Sequence, residues 1–85
     1  MTPWAIRWTP RAEKDLRRLD RQVAERVREA ISRFAQTGYG DVTRLEGEQD
    51  LRLRVGSWRD RFDYDRDAHA LIILRVLPRG RAYRD

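Results

Sequence analysis

Residues 51–59, LRLRVGSWR, carry the pattern that decides the fold. Apolar side chains alternate there with Arg52 and Arg54, which is the two-residue period of a β-strand that has one apolar face. A glycine–serine pair then marks a turn, and residues 58–64 alternate aromatic with charged side chains. The stretch therefore predicts a β-hairpin with an apolar face and an arginine face.

One residue breaks this alternation. Asp60 falls on the aromatic side of the second strand, where an apolar side chain is expected. A carboxylate at such a position predicts a bulge, a partner arginine or a functional role.

Further strands and helices are indicated on either side of the hairpin. Residues 71–77 are nearly all apolar, which is typical of a strand covered on both faces. Residues 4–8 alternate as a short strand. Thr9 followed by proline predicts the start of one helix, Asp20 caps a second, and Gly38 ends it. Residues 42–49 form a polar connector that includes, at most, a short extended piece.

These elements predict a single α+β domain over residues 1–85. The order is a strand, a two-helix hairpin and then three antiparallel strands in a small sheet, with the first strand at one edge. The helix hairpin covers one face only. We therefore expect the other face to be open and to display the arginines of the second half of the chain.

The charge distribution favours a polyanionic partner. The chain has 19 basic residues against 14 acidic ones, and only Lys14 among the basic residues is not arginine. Residues 1–50 are close to neutral, whereas residues 51–85 hold nine arginines and five aspartates. Arginine offers a planar fork of donors that fits phosphate and stacks on bases. A genome rich in arginine codons is the alternative explanation for the composition.

Several classes of protein are disfavoured by composition. The chain has no cysteine and one histidine, so neither a thiolate zinc site nor a three-histidine zinc centre is available, and we expect no metal and no cofactor. The longest apolar run is five residues, whereas a bilayer span needs about 20. No secretory leader is apparent at residues 1–7, so we expect a cytoplasmic protein with no membrane partner.

The candidate site consists of the arginines and a tyrosine of the second half. Arg52 and Arg54 point to the same side of one strand, and Arg59 lies across the turn from them. Arg79, Arg81 and Tyr83 follow the last strand and can fold back over the same face. Such a patch can hold RNA phosphates and stabilise a five-coordinate phosphorus while the RNA 2′-hydroxyl acts as nucleophile. Solvated strand faces paired with aspartates are the alternative.

Other polar or aromatic residues are interpreted as structural. His69 is expected to be a solvated loop residue, because its hairpin lies at the far end of the strands from Arg79. The three tryptophans are expected to pack in the core. Glu46, Glu48 and Asp50 are expected to belong to the solvated connector.

Three stretches of the chain together resemble the RelE/ParE superfamily of bacterial toxins. Residues 51–59 are similar to the L-x-R-L-R-V-G-x-[YW]-R signature. Residues 8–16, WTPRAEKDL, resemble the first strand and helix of that superfamily. Residues 74–84, LRVLPRGRAYR, resemble its last strand and H-R-x-x-x-Y tail. The resemblance covers nearly the whole chain and has the same order of elements.

The resemblance implies the toxin of a type II toxin–antitoxin pair, bound by a cognate antitoxin protein in a hetero-oligomer. The RelE branch cleaves mRNA on the ribosome without metal, by the 2′-hydroxyl route. Carried over by position, the catalytic residues are Arg52, Arg54, Arg59, Arg79 and Tyr83, with Arg61, Arg81 and Arg84 as further RNA-binding residues. This chain differs from the family pattern at two places that bear on the identity of the general base. Relatives often have lysine where Arg52 and Arg54 stand, and histidine where Pro78 stands.

Two other functions fit the same fold. The ParE branch poisons DNA gyrase, and its members commonly lack the full basic set and the terminal tyrosine. A third possibility is an inactive module that only binds the antitoxin. Arg79 and Tyr83 favour the endoribonuclease over the gyrase poison.

Overall fold

The helices and strands follow the predicted order, with two additions. The structure, a computed structural model, describes residues 2–44, 47 and 49–82. In chain order the elements are β1 (Ala5–Trp8), α1 (Pro10–Arg17), α2 (Arg21–Thr37), β2 (Asp41–Thr43), β3 (Leu51–Val55), β4 (Trp58–Asp65), β5 (Ala70–Pro78) and α3 (Arg79–Ala82). The additions are the short strand β2, at the start of the predicted polar connector, and the four-residue helix α3 at the end.

The helix ends lie at the residues that the sequence predicts. The Thr9 hydroxyl accepts a hydrogen bond from the Ala12 amide, with proline at the first helical position. The Asp20 carboxylate caps α2 in the same way through the Gln22 amide. Gly38 ends α2 in the left-handed conformation with φ 77°, which a residue without Cβ adopts at no steric cost.

The five strands form one mixed sheet in the order β1-β5-β4-β3-β2. Strands β2 to β5 pair antiparallel, and β1 pairs parallel with β5. The edge position predicted for the first strand is confirmed. The three strands predicted after the helices are β3, β4 and β5, and the short extended piece allowed in the polar connector is β2, which pairs with β3 through Val42 and Leu53.

The core lies between the helix hairpin and one face of the sheet. Phe34 of α2 meets Phe62 of β4 edge to face, with ring centroids 5.4 Å apart. Leu53, Val55 and Phe62 are buried on this face, together with residues of both long helices. The helices therefore cover one face, as predicted, and the alternate side chains of the strands lie on the other face.

A β-bulge in β5 is where α1 meets the sheet. Arg61 pairs with Arg75 but Phe62 pairs with Ile73, so Leu74 is the extra residue. The Thr9 hydroxyl donates to the Ile73 carbonyl at 2.8 Å. The N-cap residue of α1 thus supplies a hydrogen-bond donor to a β5 carbonyl at the point where pairing with β1 ends. None of the helices in the described ranges is long and apolar enough to cross a membrane.

Candidate nucleic-acid interface

Strand alternation gathers five arginines on the face of the sheet that the helices leave uncovered. We call this surface the arginine face. Its members come from three adjacent strands: Arg52 and Arg54 of β3, Arg59 and Arg61 of β4, and Arg75 of β5. The predicted register of the hairpin, with the leucines and valine of β3 turned to the core, agrees with the burial of Leu53 and Val55 there.

The arginines stand in two cross-strand groups. Arg52 pairs with Arg61, which in turn pairs with Arg75, so these three form a row across β3, β4 and β5. Arg54 pairs with Arg59 two positions along the hairpin, on the same face. Like charges directly opposite one another destabilise a sheet, so the row requires anions close by.

Asp50 neutralises one end of this row. Its carboxylate accepts a hydrogen bond from Arg61 Nε at 2.7 Å and lies 3.7 Å from Arg52 Nη1. Burial, the largest single effect, raises the pKa of Asp50. The hydrogen bond and charge of Arg61, with the charge of Arg52, outweigh burial and hold that pKa below its ordinary value. Asp50 is therefore ionised at neutral pH.

Asp15 of α1 neutralises the other end. Its two carboxylate oxygens accept from Nε and Nη2 of Arg75 at 2.9 and 3.3 Å, a two-point contact of the strong kind. The same carboxylate accepts from the Val76 amide at 2.9 Å, beside the bulge. One side chain of α1 thus fixes both the arginine and the irregular backbone of β5.

Arg59 is held by the backbone of its own hairpin. Its guanidinium donates to the carbonyls of Gly56 and Trp58 at 3.1 and 3.0 Å. Gly56 has φ 60°, which the turn requires and which glycine supplies without strain. These contacts tie the arginine to the β3–β4 turn.

The arginine face is less open than the sequence predicts. Arg52 is 1% exposed and Arg59 is 7% exposed, whereas Arg54 is exposed. A buried guanidinium contacts carboxylates or carbonyls, because an ion without such partners costs far too much to desolvate. The expectation that all these arginines are displayed to solvent is therefore wrong for Arg52 and Arg59.

The residues predicted after the last strand are partly described. Arg79 is exposed at the start of α3, where its amide donates to the Ser57 carbonyl at 3.0 Å and joins α3 to the hairpin turn. Arg81 lines a small cavity with Leu19, which lies between α1 and α2, and with Trp58 of β4. Both of those side chains pack against the helix-covered core. Tyr83 and Arg84 lie outside the described residues.

Asp60 lies on the opposite face, inside the core. It pairs with Leu53 and Val76 in the sheet and is 0% exposed. Neither carboxylate oxygen has a hydrogen-bond partner among the residues that the structure describes. Burial raises the pKa of Asp60 to about 8. The sequence predicts a bulge, a partner arginine or a functional role at Asp60. No arginine pairs with Asp60 in the described part of the chain. The bulge lies close to Asp60, at the register shift between Arg61 and Phe62.

The residues interpreted as structural divide in two. Trp4, Trp8 and Trp58 pack against the core, as predicted. His69 lies in the loop between β4 and β5, as predicted, but it is half-buried there and stacks on Trp4 at a centroid distance of 4.0 Å. Asp50 is buried in ion pairs, contrary to the prediction of a solvated connector, while Glu46 and Glu48 lie outside the described residues.

Sequence reasoning missed two members of this surface. Asp50 stands two residues before Arg52, so the two-residue period of the strand already places both side chains on one face. Arg75 is the single charged residue in residues 71–77, and that exception to an apolar run was its only signal. The bulge at Leu74 had no signal in the sequence, because it arises from pairing between strands.

The fold is similar to that of toxins in solved toxin–antitoxin complexes. A chain of a RelBE complex from Mycobacterium tuberculosis is 28% identical, with a TM-score of 0.73 over 92% of this chain and 100% of that one. A chain of an archaeal RelE–RelB complex from Pyrococcus horikoshii is 23% identical, with a TM-score of 0.76 over 94% and 99%. The second likeness shows the fold alone.

The sequence comparisons give a family. No curated protein matches the chain. The family model described as the ParE toxin of the type II toxin–antitoxin system parDE matches residues 6–83, almost the whole of the five-stranded domain. The chain therefore belongs to the ParE toxin family, within the RelE/ParE superfamily, and is a toxin of a type II toxin–antitoxin module.

Proposed function

We propose that this toxin is a ribosome-dependent mRNA endoribonuclease that uses the RNA 2′-hydroxyl as its nucleophile. The observation that carries the proposal is the row of Arg52, Arg61 and Arg75, with Arg54 and Arg59 beside it, on one face of the sheet. Guanidinium groups fixed on adjacent strands match the geometry and charge of an RNA backbone.

The chemistry needs few protein groups. The 2′-oxygen attacks the adjacent phosphorus and loses its proton to a base, and the bond from phosphorus to the 5′-oxygen breaks as that oxygen gains a proton. The products are a 2′,3′-cyclic phosphate and a 5′-hydroxyl. Extra negative charge develops on the phosphoryl oxygens between these events, and preorganised cations stabilise it without reorganising.

The arginines divide this work according to their exposure. Arg54 is exposed at the rim and can contact a phosphate directly. Arg52 and Arg59 are anchored to carboxylate and carbonyl groups, so they supply fixed positive potential close to it. Arg79 extends the basic surface beyond β5. Tyr83 keeps the catalytic role that the sequence resemblance implies.

Cleavage of a ribosome-bound message tests the proposal. Purified toxin is added to ribosomes programmed with a defined mRNA, and the new 3′ ends are examined for a cyclic phosphate. Arg54→Ala is expected to lower the cleavage rate about a hundred-fold, the order of effect seen when one stabilising group is removed. Arg26→Ala, an equal change of charge on the exposed side of α2, serves as the control and leaves the rate unchanged. Absence of cleavage by the wild-type toxin defeats the proposal.

Poisoning of DNA gyrase is the second candidate. The family model that matches residues 6–83 is the ParE toxin model, which favours this activity. Incubation of gyrase, plasmid and toxin separates the two: trapped double-strand breaks indicate a gyrase poison, and intact plasmid with cleaved mRNA indicates the ribonuclease. A toxin inactive in both assays fits the binding-only module.

The partner that we propose is a co-encoded antitoxin. The similar chains come from toxin–antitoxin complexes, and a basic domain with an arginine face suits an acidic or amphipathic segment. Such a segment would cover the arginine face and silence the toxin. Co-expression with the neighbouring gene is expected to give a stable complex, a higher melting temperature and loss of toxicity.

A further inference from the structure

A cavity opens at the edge of the arginine face, where the bulge of β5 meets the start of α1. It has a volume of about 520 Å³, within the range of small-molecule sites. Its lining residues are Thr9, Pro10, Arg11, Arg61, Leu74 and Arg75.

The fold makes this cavity through two local events. Pairing of β1 with β5 ends at Trp8 and Ile73, and the chain then turns into α1 at Thr9. One residue later the bulge adds Leu74 to β5 and breaks the regular pairing with β4. The cavity therefore occupies the corner that a regular sheet with a longer first strand would fill.

Three arginines and no carboxylate from the described part of the chain line the cavity. Arg61 and Arg75 are neighbouring members of the arginine row, and Asp50 and Asp15 fix their Nε atoms. Arg11 is exposed in the first turn of α1, where the positive end of the helix dipole disfavours a cation. The carboxylate of that turn, Glu13, lies with Arg17 and Arg28 at a different surface cavity.

The cavity also has an apolar component. Leu74 is half-buried and Pro10 is exposed, and both contribute to the lining between the arginines. A nucleotide combines an anionic phosphate with a flat base, and guanidinium and apolar surfaces bind these two parts respectively. An acidic peptide would use the cations, but the apolar side chains of Leu74 and Pro10 beside members of the arginine row favour a nucleotide.

We propose that this cavity is a nucleotide subsite that holds one nucleotide of single-stranded RNA beside the arginine row. Arg11 contacts its phosphate, and Leu74 and Pro10 support its base. The subsite rests on the proposed function in one respect: the RNA strand that it holds is the one that continues along the arginine face to the cleaved bond.

Binding of an uncleavable RNA tests the subsite. The probe is a fluorescent tetranucleotide with 2′-O-methyl groups throughout, titrated with the full-length toxin and followed by anisotropy at several salt concentrations. Arg11→Ala is expected to weaken binding about five-fold and to reduce the salt slope by about one, as for one lost phosphate contact. Leu74→Ala is expected to weaken binding about three-fold at an unchanged salt slope, because it removes base support and no charge.

Matched controls decide the outcome. Arg26→Ala removes the same charge from the exposed side of α2. If Arg26→Ala and Arg11→Ala weaken RNA binding equally, the loss of affinity is due to net charge alone and the subsite is overturned. The subsite is also overturned if the wild-type toxin does not bind the probe, or if Arg11→Ala weakens antitoxin binding alone. Arg11-dependent RNA binding by a toxin that does not cleave mRNA would retain the subsite and defeat the proposed ribonuclease.

Discussion

Two aspartates on opposite faces of the same sheet have opposite electrostatic environments. Asp50, on the arginine face, is held by Arg61 and Arg52, and its pKa is lowered although burial alone raises it. Asp60, on the helix-covered face, has apolar neighbours in the sheet, and burial raises its pKa to about 8. Both are less than one-tenth exposed, but Asp50 has arginine partners that outweigh its burial, whereas the burial of Asp60 is not offset by any partner among the described residues.

The comparison also separates two ways of placing charge in a small domain. The arginine face carries its charge in pairs that span β3, β4, β5 and α1, which fixes side chains for binding. The core carries one carboxyl group without a described partner, which costs stability. The following substitutions test this difference, from the largest expected effect to the smallest.

Asp60→Asn is expected to stabilise the protein most. The pKa of Asp60 is about 8 when folded and about 3.8 when unfolded. The cost of burying Asp60 is therefore absent below about pH 4, and it grows as the pH rises to about 8. At about 1.36 kcal/mol per pH unit, the cost at pH 7 is roughly 4 kcal/mol, which the neutral amide avoids.

Urea unfolding of both proteins between pH 4 and pH 8 measures this effect. The advantage of Asp60→Asn is expected to grow through that range and to vanish near pH 4. Asp63→Asn, on the exposed side of the same strand, is the control and is expected to change stability by less than about 0.5 kcal/mol. A difference that does not vary with pH would show that Asp60 is not buried as an unpaired acid.

Asp50→Asn is expected to have the opposite sign. It leaves the charges of Arg52 and Arg61 facing each other, and loss of one partner from a buried ion pair costs about 3 kcal/mol. Because the folded pKa is lowered, the contribution of Asp50 is present above its unfolded pKa of about 3.8 and is lost as the pH falls below it. Denaturant midpoints at pH 7 and pH 3 measure it, and an equal loss at both would contradict the ion-pair explanation.

Gly40→Ala tests how closely the helix-covered face is packed. An added Cβ would lie 2.7 Å from Leu53 Cδ1 and 3.1 Å from Phe34 Cδ1, so one of these side chains must move. Such overpacking costs about 1–3 kcal/mol. Thermal unfolding measures the loss, with Tyr39→Ala as a near-neutral control because Tyr39 is 78% exposed. An unchanged melting temperature would mean that Leu53 and Phe34 can move aside at no cost in stability.

Asp41→Asn is expected to have the smallest effect. Its carboxylate lies 3.7 Å from Arg54 Nη1, but both side chains are about 60% exposed. Exposed pairs contribute about 0–1 kcal/mol and are screened by salt. We expect a change below about 0.5 kcal/mol in unfolding experiments at 0.15 M salt. A loss as large as that of Asp50→Asn would erase the distinction between the buried row and the rim.

Local chemistry in the sequence determined most of the secondary structure. The N-caps at Thr9 and Asp20, the stop at Gly38 and the two-residue period of β3 depend on contacts within a few residues, so the sequence specifies them directly. The face on which Arg52 and Arg54 stand follows from the same period. The sequence motifs were sufficient to indicate the family because they lie in these locally specified helices and strands.

Tertiary structure decided the rest, because those features depend on which distant segments meet. The short strand β2 is stabilised by pairing with β3 and has little propensity of its own. Burial of Arg52 and Asp50, the anchoring of Arg75 by Asp15 60 residues away, and the cavity beside the Leu74 bulge all need strands or helices brought together by folding. A sequence gives the direction in which a side chain points, but its solvent exposure and its partners are set by what packs opposite it.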